Sequence, residues 1–331
     1  YLHDGCVKCD EQASPVEPGH QFEWAWLLGR WALLTFRKDA LAAARRLVEI
    51  GETYGVSAAN HLVINGLDHD LKPYDRGFRL WPQTERIKAW IMMAELAVGK
   101  HDRNNALQKV ADASTGLRAF MSDVPAGLWR DRMMPDGTTI EEPAPASSLY
   151  HITCAIEEMH RYLARSEECK PALFLDRDGV IIEDTGYVGD FRKIKLLDHI
   201  IETILYYREK VSYVFVVTNQ SGIGRRYYDE DDYNLVRAKI NALLKQAGVS
   251  VDDERACPYY EHSSNPLYRR DHDWRKPNPG MIFDLASEWN VKLDESYLIG
   301  DKQTDIEAAN AAGVEAILLE SQHLFEISNR R

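Results

Sequence analysis

Two aspartates separated by a single residue follow an apolar segment in the middle of the chain. The segment ALFLDRDG places Asp176 and Asp178 directly after its hydrophobic residues. Carboxylates at the end of a buried strand are costly, because each loses hydration and two like charges resist joint ionisation. The pair is therefore typical either of a strand-to-turn transition or of a site in which something compensates the charge.

The elements that position this pair follow from Lys170 onward, where short apolar runs alternate with helical segments. The runs occupy residues 172–176, 213–219, 296–301 and 315–320. This alternation is typical of βαβ units on a parallel sheet, whose ligands bind beyond the carboxyl ends of the strands. The polar residues that end three runs should therefore meet at one edge. These residues are Asp176 with Asp178, Thr218 with Asn219, and Asp301.

These residue types suit metal-assisted hydrolysis of a phosphate monoester. A carboxylate can attack a phosphoryl group if a divalent cation offsets the repulsion between the two anions. We expect Asp176 to be the nucleophile, Asp178 the acid and base, and Thr218 a holder of phosphate oxygens. Lys276 supplies a positive charge to the phosphoryl group. The candidate Mg²⁺ ligands are Asp176, Asp178, Asp301 and Asp305. An orienting role behind the ligands is an alternative for Asp305.

Four segments carry these residues in order: FLDRDGVI, VVTNQSGIGRRYY, RKPNPGM and LIGDKQTDIEAANAAG. They resemble the four motifs of the haloacid dehalogenase superfamily phosphatases, over about residues 170–320. Within this superfamily, the chain most resembles the histidinol-phosphate and D-glycero-D-manno-heptose 1,7-bisphosphate phosphatase group. The segments DTGYV and TNQSGIGRRYYDEDDY particularly resemble the heptose enzymes. The resemblance implies a Rossmann-like parallel-sheet domain at residues 170–331, an aspartyl-phosphate intermediate, and Mg²⁺ held by Asp176, Asp301 and the main-chain carbonyl of Asp178. It also implies substrate contacts from Asn219 and Arg275.

The segment before Lys276 departs from this group, whose members often carry a zinc loop there. That loop has the pattern Cys-x-His followed by Cys-x-Cys. Here Cys257 is present, but Tyr259 replaces the histidine, and His272 and Trp274 align with the later cysteines. Cys257, His262 and His272 remain a candidate three-ligand Zn²⁺ set. The alternative that we favour is a metal-free loop that shapes substrate access.

Residues 20 to about 165 have a different pattern, with apolar residues at helical spacing in five segments separated by turn-rich loops. His20 has Glu23 on the same helical face, and His151 lies where a loop meets a helix. Two histidines that face one pocket could remove and return a proton beside a sugar carbonyl. Trp81 would stack on the sugar ring, and Glu85 follows it by one helical turn. Taken singly, each histidine is also compatible with a purely structural role.

Together these helical segments resemble the N-acylglucosamine 2-epimerase and mannose isomerase family, an (α/α)₆ barrel. The resemblance implies His20 and His151 as the acid/base pair, with Glu23, Trp81 and Glu85 lining the pocket. It covers the C-terminal half of such a barrel, with about six of its twelve helices in residues 1–165. A half barrel leaves an apolar face uncovered. We expect the other half upstream of Tyr1 or on another chain, for example in a homo-oligomer, or a remnant that now serves as a scaffold.

Composition limits the partners. The chain has 331 residues, enough for two domains, and a net charge of -12, which argues against a nucleic-acid binder. A sugar-phosphate substrate is compatible with that charge, because a few cations and a metal can dominate one pocket. We find no apolar run of the ~18–20 residues that span a bilayer, and no signal peptide. The five cysteines favour a reducing cytoplasm. The CVKC pattern at Cys6 and Cys9 has no second pair, which favours free thiols over zinc.

Three hypotheses follow. The leading one is a bifunctional enzyme of carbohydrate or nucleotide-sugar biosynthesis, an isomerase-like or epimerase-like helical domain joined to a Mg²⁺-dependent sugar-phosphate phosphatase. The second keeps the phosphatase and makes the helical half a scaffold or oligomerisation module. The third is a binding protein with relic sites, and the intact phosphatase residues argue against it.

Overall fold

The computed structural model describes residues 15–163, 168–198 and 200–319. Two compact units divide the chain, Tyr1–Ala164 and Arg165–Arg331. The predicted domain boundary, near residues 165–171, lies partly outside the described ranges and stays a prediction. The predicted fold class is confirmed, since a helical unit is followed by an α/β unit with a parallel sheet.

Five α-helices form the described part of the first unit: α1 (Pro18–Thr35), α2 (Lys38–Gly55), α3 (Leu80–Leu96), α4 (Lys100–Ala119) and α5 (Ala146–Leu163). Pro18 occupies the first turn of α1, where its missing N–H removes no helical hydrogen bond. α3 is central, because it packs against α1, α4 and α5 and nearly all of its residues are buried. This arrangement is the helical architecture expected for half of an (α/α)₆ barrel.

A buried ion pair joins α2 to α3. The side chain of Arg86 is fully buried and donates from Nε and Nη2 to the two carboxylate oxygens of Glu52, at 2.9 and 2.7 Å. Its Nη1 donates to the carbonyl of His61 at 2.8 Å. A buried charge without such partners would be strongly destabilising, so these bonds account for an arginine in the core.

A small antiparallel sheet forms in the turn-rich segments between the helices. Its strands, in spatial order, are β1 (Ile64–Leu67), β2 (Pro73–Arg79) and β3 (Arg132–Met133). Ile64 pairs with Phe78, and Arg79 pairs with Arg132. The sequence predicted only loops here, because β1 and β3 are short and β2, with the sequence PYDRGFR, is mostly exposed and polar. The sheet supports the start of α3, which follows β2 directly.

The second unit contains a five-stranded parallel sheet. Its strands are β4 (Ala172–Leu175), β5 (Tyr213–Asn219), β6 (Asp253–Cys257), β7 (Tyr297–Gly300) and β8 (Glu315–Leu318). Their spatial order is β6-β5-β4-β7-β8, which places β4 at the centre. Leu175 pairs with Val216 on one side and with Ile299 on the other. The residues that follow these three strands therefore meet at one edge.

The described helices of this unit are α6 (Ile200–Arg208), α7 (Ser221–Gly224), α8 (Glu230–Gln246), α9 (Gly280–Trp289) and α10 (Gln303–Ala312). The strand β4 is buried along its whole length, as expected for a strand that has neighbours on both sides. α8 begins with a capping box between Asp229 and Asp232, which satisfies backbone N–H groups of its first turn. One hydrophobic core cluster lies between the sheet and α6 and α8.

Candidate functional site

A buried lysine joins two of the predicted carboxylates. Lys276 is 4% exposed, and its Nζ lies 2.8 Å from Asp176 Oδ1 and 2.5 Å from Asp305 Oδ1. The same nitrogen donates to the carbonyl of Val217 at 2.8 Å. Burial lowers the pKa of Lys276, but the charges of Asp176 and Asp305 outweigh this effect and raise the pKa above its usual value. Lys276 is therefore a fixed positive charge beside the end of β4.

Three carboxylates come together at this edge. Within the described ranges, oxygens of Asp176, Asp301 and Asp305 form a group in which all lie within 4.8 Å of one another. Asp301 Oδ1 is buried and has no hydrogen-bond partner. Burial, together with the charges of Asp176 and Asp305, raises the pKa of Asp301 to about 6, although Lys302 lowers it. A buried acceptor without a donor among hard oxygen ligands fits a divalent cation such as Mg²⁺.

The turn after the aspartate pair permits this approach. Gly179 has φ +88°, and a Cβ built on it would lie 2.4 Å from Asp301 Oδ2. Both the left-handed backbone and the lack of space require glycine at this position. The glycine that closes the motif therefore lets Asp301 lie against the turn.

The Asp178 side chain points to different partners. Its oxygens accept hydrogen bonds from Arg177 at 3.0 and 2.9 Å and from Gln220 Nε2 at 2.8 Å. It does not belong to the three-carboxylate group, so the described structure gives its carboxylate no place among the metal ligands. A ligand role for its main-chain carbonyl stays a prediction.

Thr218 and Asn219 end β5 beside this cluster. Thr218 Oγ1 accepts a hydrogen bond from Gln220 Nε2 at 2.9 Å. The amide of Asn219 forms two bonds with the backbone of Lys276, since its Nδ2 donates to the carbonyl and its Oδ1 accepts from the N–H, both at 3.0 Å. Asn219 thus holds the lysine segment, a contact that the sequence did not indicate. Its role in substrate binding stays a prediction.

The candidate zinc residues are not brought together, which corrects that hypothesis for the described residues. Burial raises the pKa of the Cys257 thiol to about 12, which disfavours the thiolate that zinc requires. His272 stacks on Tyr259 with ring centroids 4.0 Å apart, and its Nδ1 accepts the N–H of Trp274 at 3.0 Å. His262 lies edge-on to Tyr260 instead. Aromatic packing occupies this segment.

Two arginines lie on one tyrosine near the end of this segment. The guanidinium groups of Arg225 and Arg275 lie 4.2 and 5.1 Å from the ring centroid of Tyr260. Arg275 Nη1 also donates to the carbonyl of Tyr259 at 3.3 Å. Tyr187 and Tyr227 make an edge-to-face contact with centroids 4.6 Å apart, and both are exposed. Guanidinium groups and aromatic faces of this kind suit a phosphorylated sugar.

In the helical unit, Trp81 lies between the two predicted histidines. Its ring centroid is 5.0 Å from that of His20 and 5.5 Å from that of His151. His151 Nδ1 lies 2.8 Å from Glu85 Oε1, and Lys88 Nζ lies 2.8 Å from Glu85 Oε2. The side chain of Glu85 is fully buried. Four of the five predicted residues therefore form one cluster, in which Glu85 orients His151.

Glu23, the fifth predicted residue, is near enough to Tyr150 for its charge to affect that hydroxyl. A hydrogen bond with Cys154 raises the pKa of the Tyr150 hydroxyl, and the charges of Glu85 and Glu23 add to this effect. Tyr150 in turn lies edge-on to His151, with centroids 5.4 Å apart. A place for Glu23 in the sugar pocket stays a prediction.

Similarity to known proteins agrees with the phosphatase geometry. A D-glycero-beta-D-manno-heptose-1,7-bisphosphate 7-phosphatase of Rhodopseudomonas palustris is 39% identical over 155 residues, which are 47% of this chain and 86% of that protein. The chain belongs to this phosphatase family. It is therefore an enzyme of the phosphoric monoester hydrolase class. Relatives in the heptose-bisphosphate phosphatase family are named for both the alpha and the beta anomer.

Two further similarities concern the same unit. Residues 273–323 match the HAD-hydrolase-like family model. The solved D,D-heptose 1,7-bisphosphate phosphatase of B. bronchiseptica, complexed with magnesium and phosphate, is 28% identical with a TM-score of 0.41 and is matched over 49% of this chain and 87% of that chain. The predicted membership of the haloacid dehalogenase group is confirmed by the family match.

The helical unit is similar to sugar isomerases and epimerases. Residues 4–155 match the N-acylglucosamine 2-epimerase family model. A mannose-6-phosphate isomerase of Rhizobium meliloti is 45% identical over 163 residues, which are 49% of this chain. The chain spans 42% of the length of that isomerase. The predicted resemblance of this unit is confirmed.

Two predicted cysteines cannot be compared with the structure. Cys6 and Cys9 lie outside the described residues. No helix in the described part of the chain is both long and apolar enough to cross a membrane. Arg177 and Gln220 were not predicted as site residues, although both lie inside the motifs that resemble the phosphatase family. The position of Arg177 between the two motif aspartates was the one signal in the sequence, and its burial was not visible there.

Proposed function

We propose that the α/β unit is a Mg²⁺-dependent sugar-phosphate phosphatase that acts through an aspartyl phosphate on Asp176. The observation that carries the proposal is the contact of Lys276 with both Asp176 and Asp305, beside the unpartnered oxygen of Asp301. This combination provides a nucleophile, a fixed cation and an acceptor cluster at the carboxyl edge of one sheet.

In the first half-reaction, a carboxylate oxygen of Asp176 attacks the phosphorus atom and the bond from phosphorus to the sugar oxygen breaks. Asp178 donates its proton to that leaving oxygen. Lys276 holds the Asp176 carboxylate and offsets the charge of the phosphoryl group. Thr218 Oγ1, which ends the neighbouring strand, holds a phosphoryl oxygen.

In the second half-reaction, Asp178 accepts a proton from water as the water oxygen attacks the phosphorus. The bond from phosphorus to Asp176 then breaks, which releases inorganic phosphate and restores both aspartates. Each proton lost in the first step is thus regained in the second. The two partners of Asp178, Arg177 and Gln220, keep its carboxyl group near Thr218 during the cycle.

The residues that would hold Mg²⁺ are Asp176, Asp301 and Asp305, with the main-chain carbonyl of Asp178. When bound, the cation offsets the repulsion between the attacking carboxylate and the phosphate. Asp305 has two further tasks in the fold, because it accepts from Lys276 and its Oδ2 accepts the N–H of Lys302 at 3.0 Å. These two contacts support an orienting role for Asp305 in addition to a role as a metal ligand.

We propose a heptose bisphosphate as the substrate type, by analogy with the names of the phosphatase relatives. Arg225 and Arg275, which share Tyr260, would contact an anionic group of such a substrate. Histidinol phosphate is the alternative substrate. We place the enzyme in the cytoplasm, where both compounds would be available.

A second activity is favoured by the position of Trp81 between His20 and His151. We propose sugar isomerisation or epimerisation, with the two histidines transferring a proton beside a carbonyl and Trp81 contacting the sugar ring. Both activities would then serve carbohydrate or nucleotide-sugar biosynthesis. A scaffold or oligomerisation role for the helical unit is the alternative. An assay for conversion of an aldose to its ketose or epimer distinguishes them, because only the catalytic role predicts conversion.

Phosphate release from a panel of sugar mono- and bisphosphates, with histidinol phosphate included, tests the main proposal. The panel is run with and without Mg²⁺ and with the variants Asp176→Asn and Asp294→Asn. Asp294 is an exposed aspartate that precedes β7, whereas the cluster lies after the strands. We expect selective, Mg²⁺-dependent release that Asp176→Asn abolishes and Asp294→Asn leaves intact. No release from any compound would overturn the proposal.

A further inference from the structure

The residue between the two motif aspartates is buried and holds the second of them. Arg177 is 1% exposed. Its Nε and Nη2 donate to the two oxygens of Asp178 at 3.0 and 2.9 Å. Nη2 also donates to Gln220 Oε1 at 3.0 Å and to the carbonyl of Val188 at 3.3 Å. The guanidinium group lies over the ring of Tyr233, 5.6 Å from its centroid. Arg177 is thus fixed on several sides.

Gln220 connects this pair to the end of β5. Its Oε1 accepts from Arg177 and from the Tyr228 hydroxyl, while its Nε2 donates to Asp178 Oδ2 at 2.8 Å and to Thr218 Oγ1 at 2.9 Å. This orientation of the amide is the one that satisfies both donors and both acceptors, because the flipped amide would face the guanidinium group with its own N–H groups. The side chain is 1% exposed, so water competes little for these bonds.

Tyr228 fixes the far side of Gln220. Its hydroxyl donates to Gln220 Oε1. Its ring lies against the backbone of Gly222, where a side chain would have no room. A Cβ built on Gly222 would lie 2.3 Å from the ring. The glycine therefore lets a large aromatic residue reach a buried amide. Tyr228 itself is buried.

We propose that Tyr228, Gln220 and Arg177 form a positioning network that aims the carboxyl group of Asp178 at the leaving oxygen of the substrate. The network acts through Asp178 and Thr218, with which Arg177 and Gln220 form hydrogen bonds. The inference rests on the proposed function, since it assigns these residues to the acid/base group of that reaction. Proton transfer depends steeply on geometry, so loss of the network lowers the chemical rate more than substrate binding.

The leaving group separates positioning of an acid from a general structural role. A sugar alkoxide is strongly basic and needs a proton as it leaves, whereas nitrophenolate leaves without one. The comparison uses kcat/KM, which reports formation of the aspartyl phosphate and not its hydrolysis, a step that both substrates share. A variant with a misplaced acid therefore loses kcat/KM for the sugar phosphate and retains most of it for p-nitrophenyl phosphate. A variant with a generally distorted site loses both to the same extent.

The experiment measures kcat and KM for both substrates, the sugar phosphate being the one most rapidly hydrolysed in the panel. The variants are Gln220→Met, which keeps the volume of the side chain, and Tyr228→Phe, which removes one hydroxyl. Matched controls are Gln246→Met, an exposed residue at the end of α8, and Tyr206→Phe, whose hydroxyl accepts from Lys210. Asp178→Asn provides the reference for loss of the acid. Thermal unfolding of each variant identifies any that does not fold.

We expect Gln220→Met to lower kcat/KM for the sugar phosphate about 10- to 100-fold and kcat/KM for the aryl phosphate far less, because only the sugar alkoxide needs the proton of Asp178 as it leaves. Tyr228→Phe should show the same pattern with a smaller amplitude, and the two controls should match the wild type. An equal loss of kcat/KM on both substrates in a folded variant would overturn the network when Asp178→Asn itself loses kcat/KM mainly for the sugar phosphate. Full activity of both variants would overturn it as well. An Asp178→Asn enzyme with wild-type turnover of the sugar phosphate would instead contradict the proposed function itself.

Discussion

The ammonium group of Lys276 lies 2.8 Å from the carboxylate of Asp176, although the two residues are 100 positions apart in the sequence. The lysine follows the loop after β6, and the aspartate follows the central strand β4. Their contact is buried, so it is little screened by solvent. The fold thus places a permanent cation against the candidate nucleophile, where negative charge gathers during phosphoryl transfer.

Removal of this cation should abolish turnover. We expect Lys276→Met to lower kcat by at least about 100-fold, because the phosphoryl charge and the Asp176 carboxylate then face each other without compensation. The free energy of unfolding in the absence of Mg²⁺ should also fall by about 3 kcal/mol, since a buried ion pair loses one partner. Phosphate release and denaturant unfolding provide the two measurements. The exposed Lys245→Met is the control, and near wild-type turnover in Lys276→Met would refute the assigned role.

The carboxylate cluster should bind Mg²⁺ measurably without substrate. Saturating Mg²⁺ at about 100 times its Kd should raise the free energy of unfolding by about 2.7 kcal/mol, because the ion binds the folded state alone. Asp301→Asn removes a charged ligand and should abolish most of this increase, while Asp294→Asn should preserve it. The measurement is urea unfolding with Mg²⁺ or with a chelator. An equal response of wild type and Asp301→Asn would exclude Asp301 as a ligand.

Glu85 should be important for the stability of the helical unit, whatever that unit catalyses. Its buried carboxylate contacts both Lys88 and His151 at 2.8 Å. Glu85→Gln leaves the buried ammonium of Lys88 without its anion, so we expect the free energy of unfolding to fall by about 3 kcal/mol. Denaturant unfolding of the full chain, followed by a helix signal, tests this. The exposed Glu157→Gln on α5 should change stability little, and equal effects of the two substitutions would argue against the ion pair.

The stacked pair of Tyr259 and His272 should hold the segment that presents Arg275. His272→Ala removes the stack. We expect the free energy of unfolding to fall by about 1 kcal/mol and the KM for the sugar phosphate to increase severalfold. His272→Phe keeps an aromatic ring there and should restore most of the affinity, although it loses the bond from the Trp274 N–H. The measurement is KM with thermal unfolding of both variants. An unchanged KM in His272→Ala would separate this stack from substrate binding.

Tyr228 should make stability depend on alkaline pH. Burial raises the pKa of its hydroxyl to about 12 in the folded protein, against 10.0 for an exposed tyrosine. Because the folded pKa is the higher one, the stabilisation is complete below pH 10 and is lost as the pH rises through about 12. The free energy of unfolding falls by about 2–3 kcal/mol in total over this pH range. Unfolding between pH 9 and about 12 should show a steeper decline in wild type than in Tyr228→Phe, with Tyr206→Phe as the control. Parallel curves would contradict the buried hydroxyl.

The sequence was sufficient to predict the residues that end strands. Asp176, Thr218 and Asp301 each close an apolar run, and parallel strands bring such ends to one edge irrespective of the details of packing. The order of the helical and α/β parts followed from the change of hydrophobic period near Lys170. These features depend on backbone periodicity, which a single sequence records directly.

Other features depend on the directions of side chains and could not be predicted in this way. Arg177 could have pointed to solvent, and Gln220 lies in a turn whose geometry the sequence does not specify. The three zinc candidates had suitable residue types, but His272 stacks on Tyr259 instead of turning toward Cys257. The strands β1 and β3 are too short for a periodic signal, and the longer β2 is mostly exposed and carries no apolar run. Tertiary packing decides each of these cases.

The most direct test of the central claim is to look for a phosphoryl group on Asp176 itself. The enzyme is mixed with its best sugar phosphate and Mg²⁺, quenched rapidly in acid, and its peptides are analysed by mass spectrometry. We expect a phosphorylated peptide that contains Asp176, more of it in Asp178→Asn if dephosphorylation becomes slower than its formation, and none in Asp176→Asn. Turnover by Asp176→Asn at the wild-type rate would contradict the account.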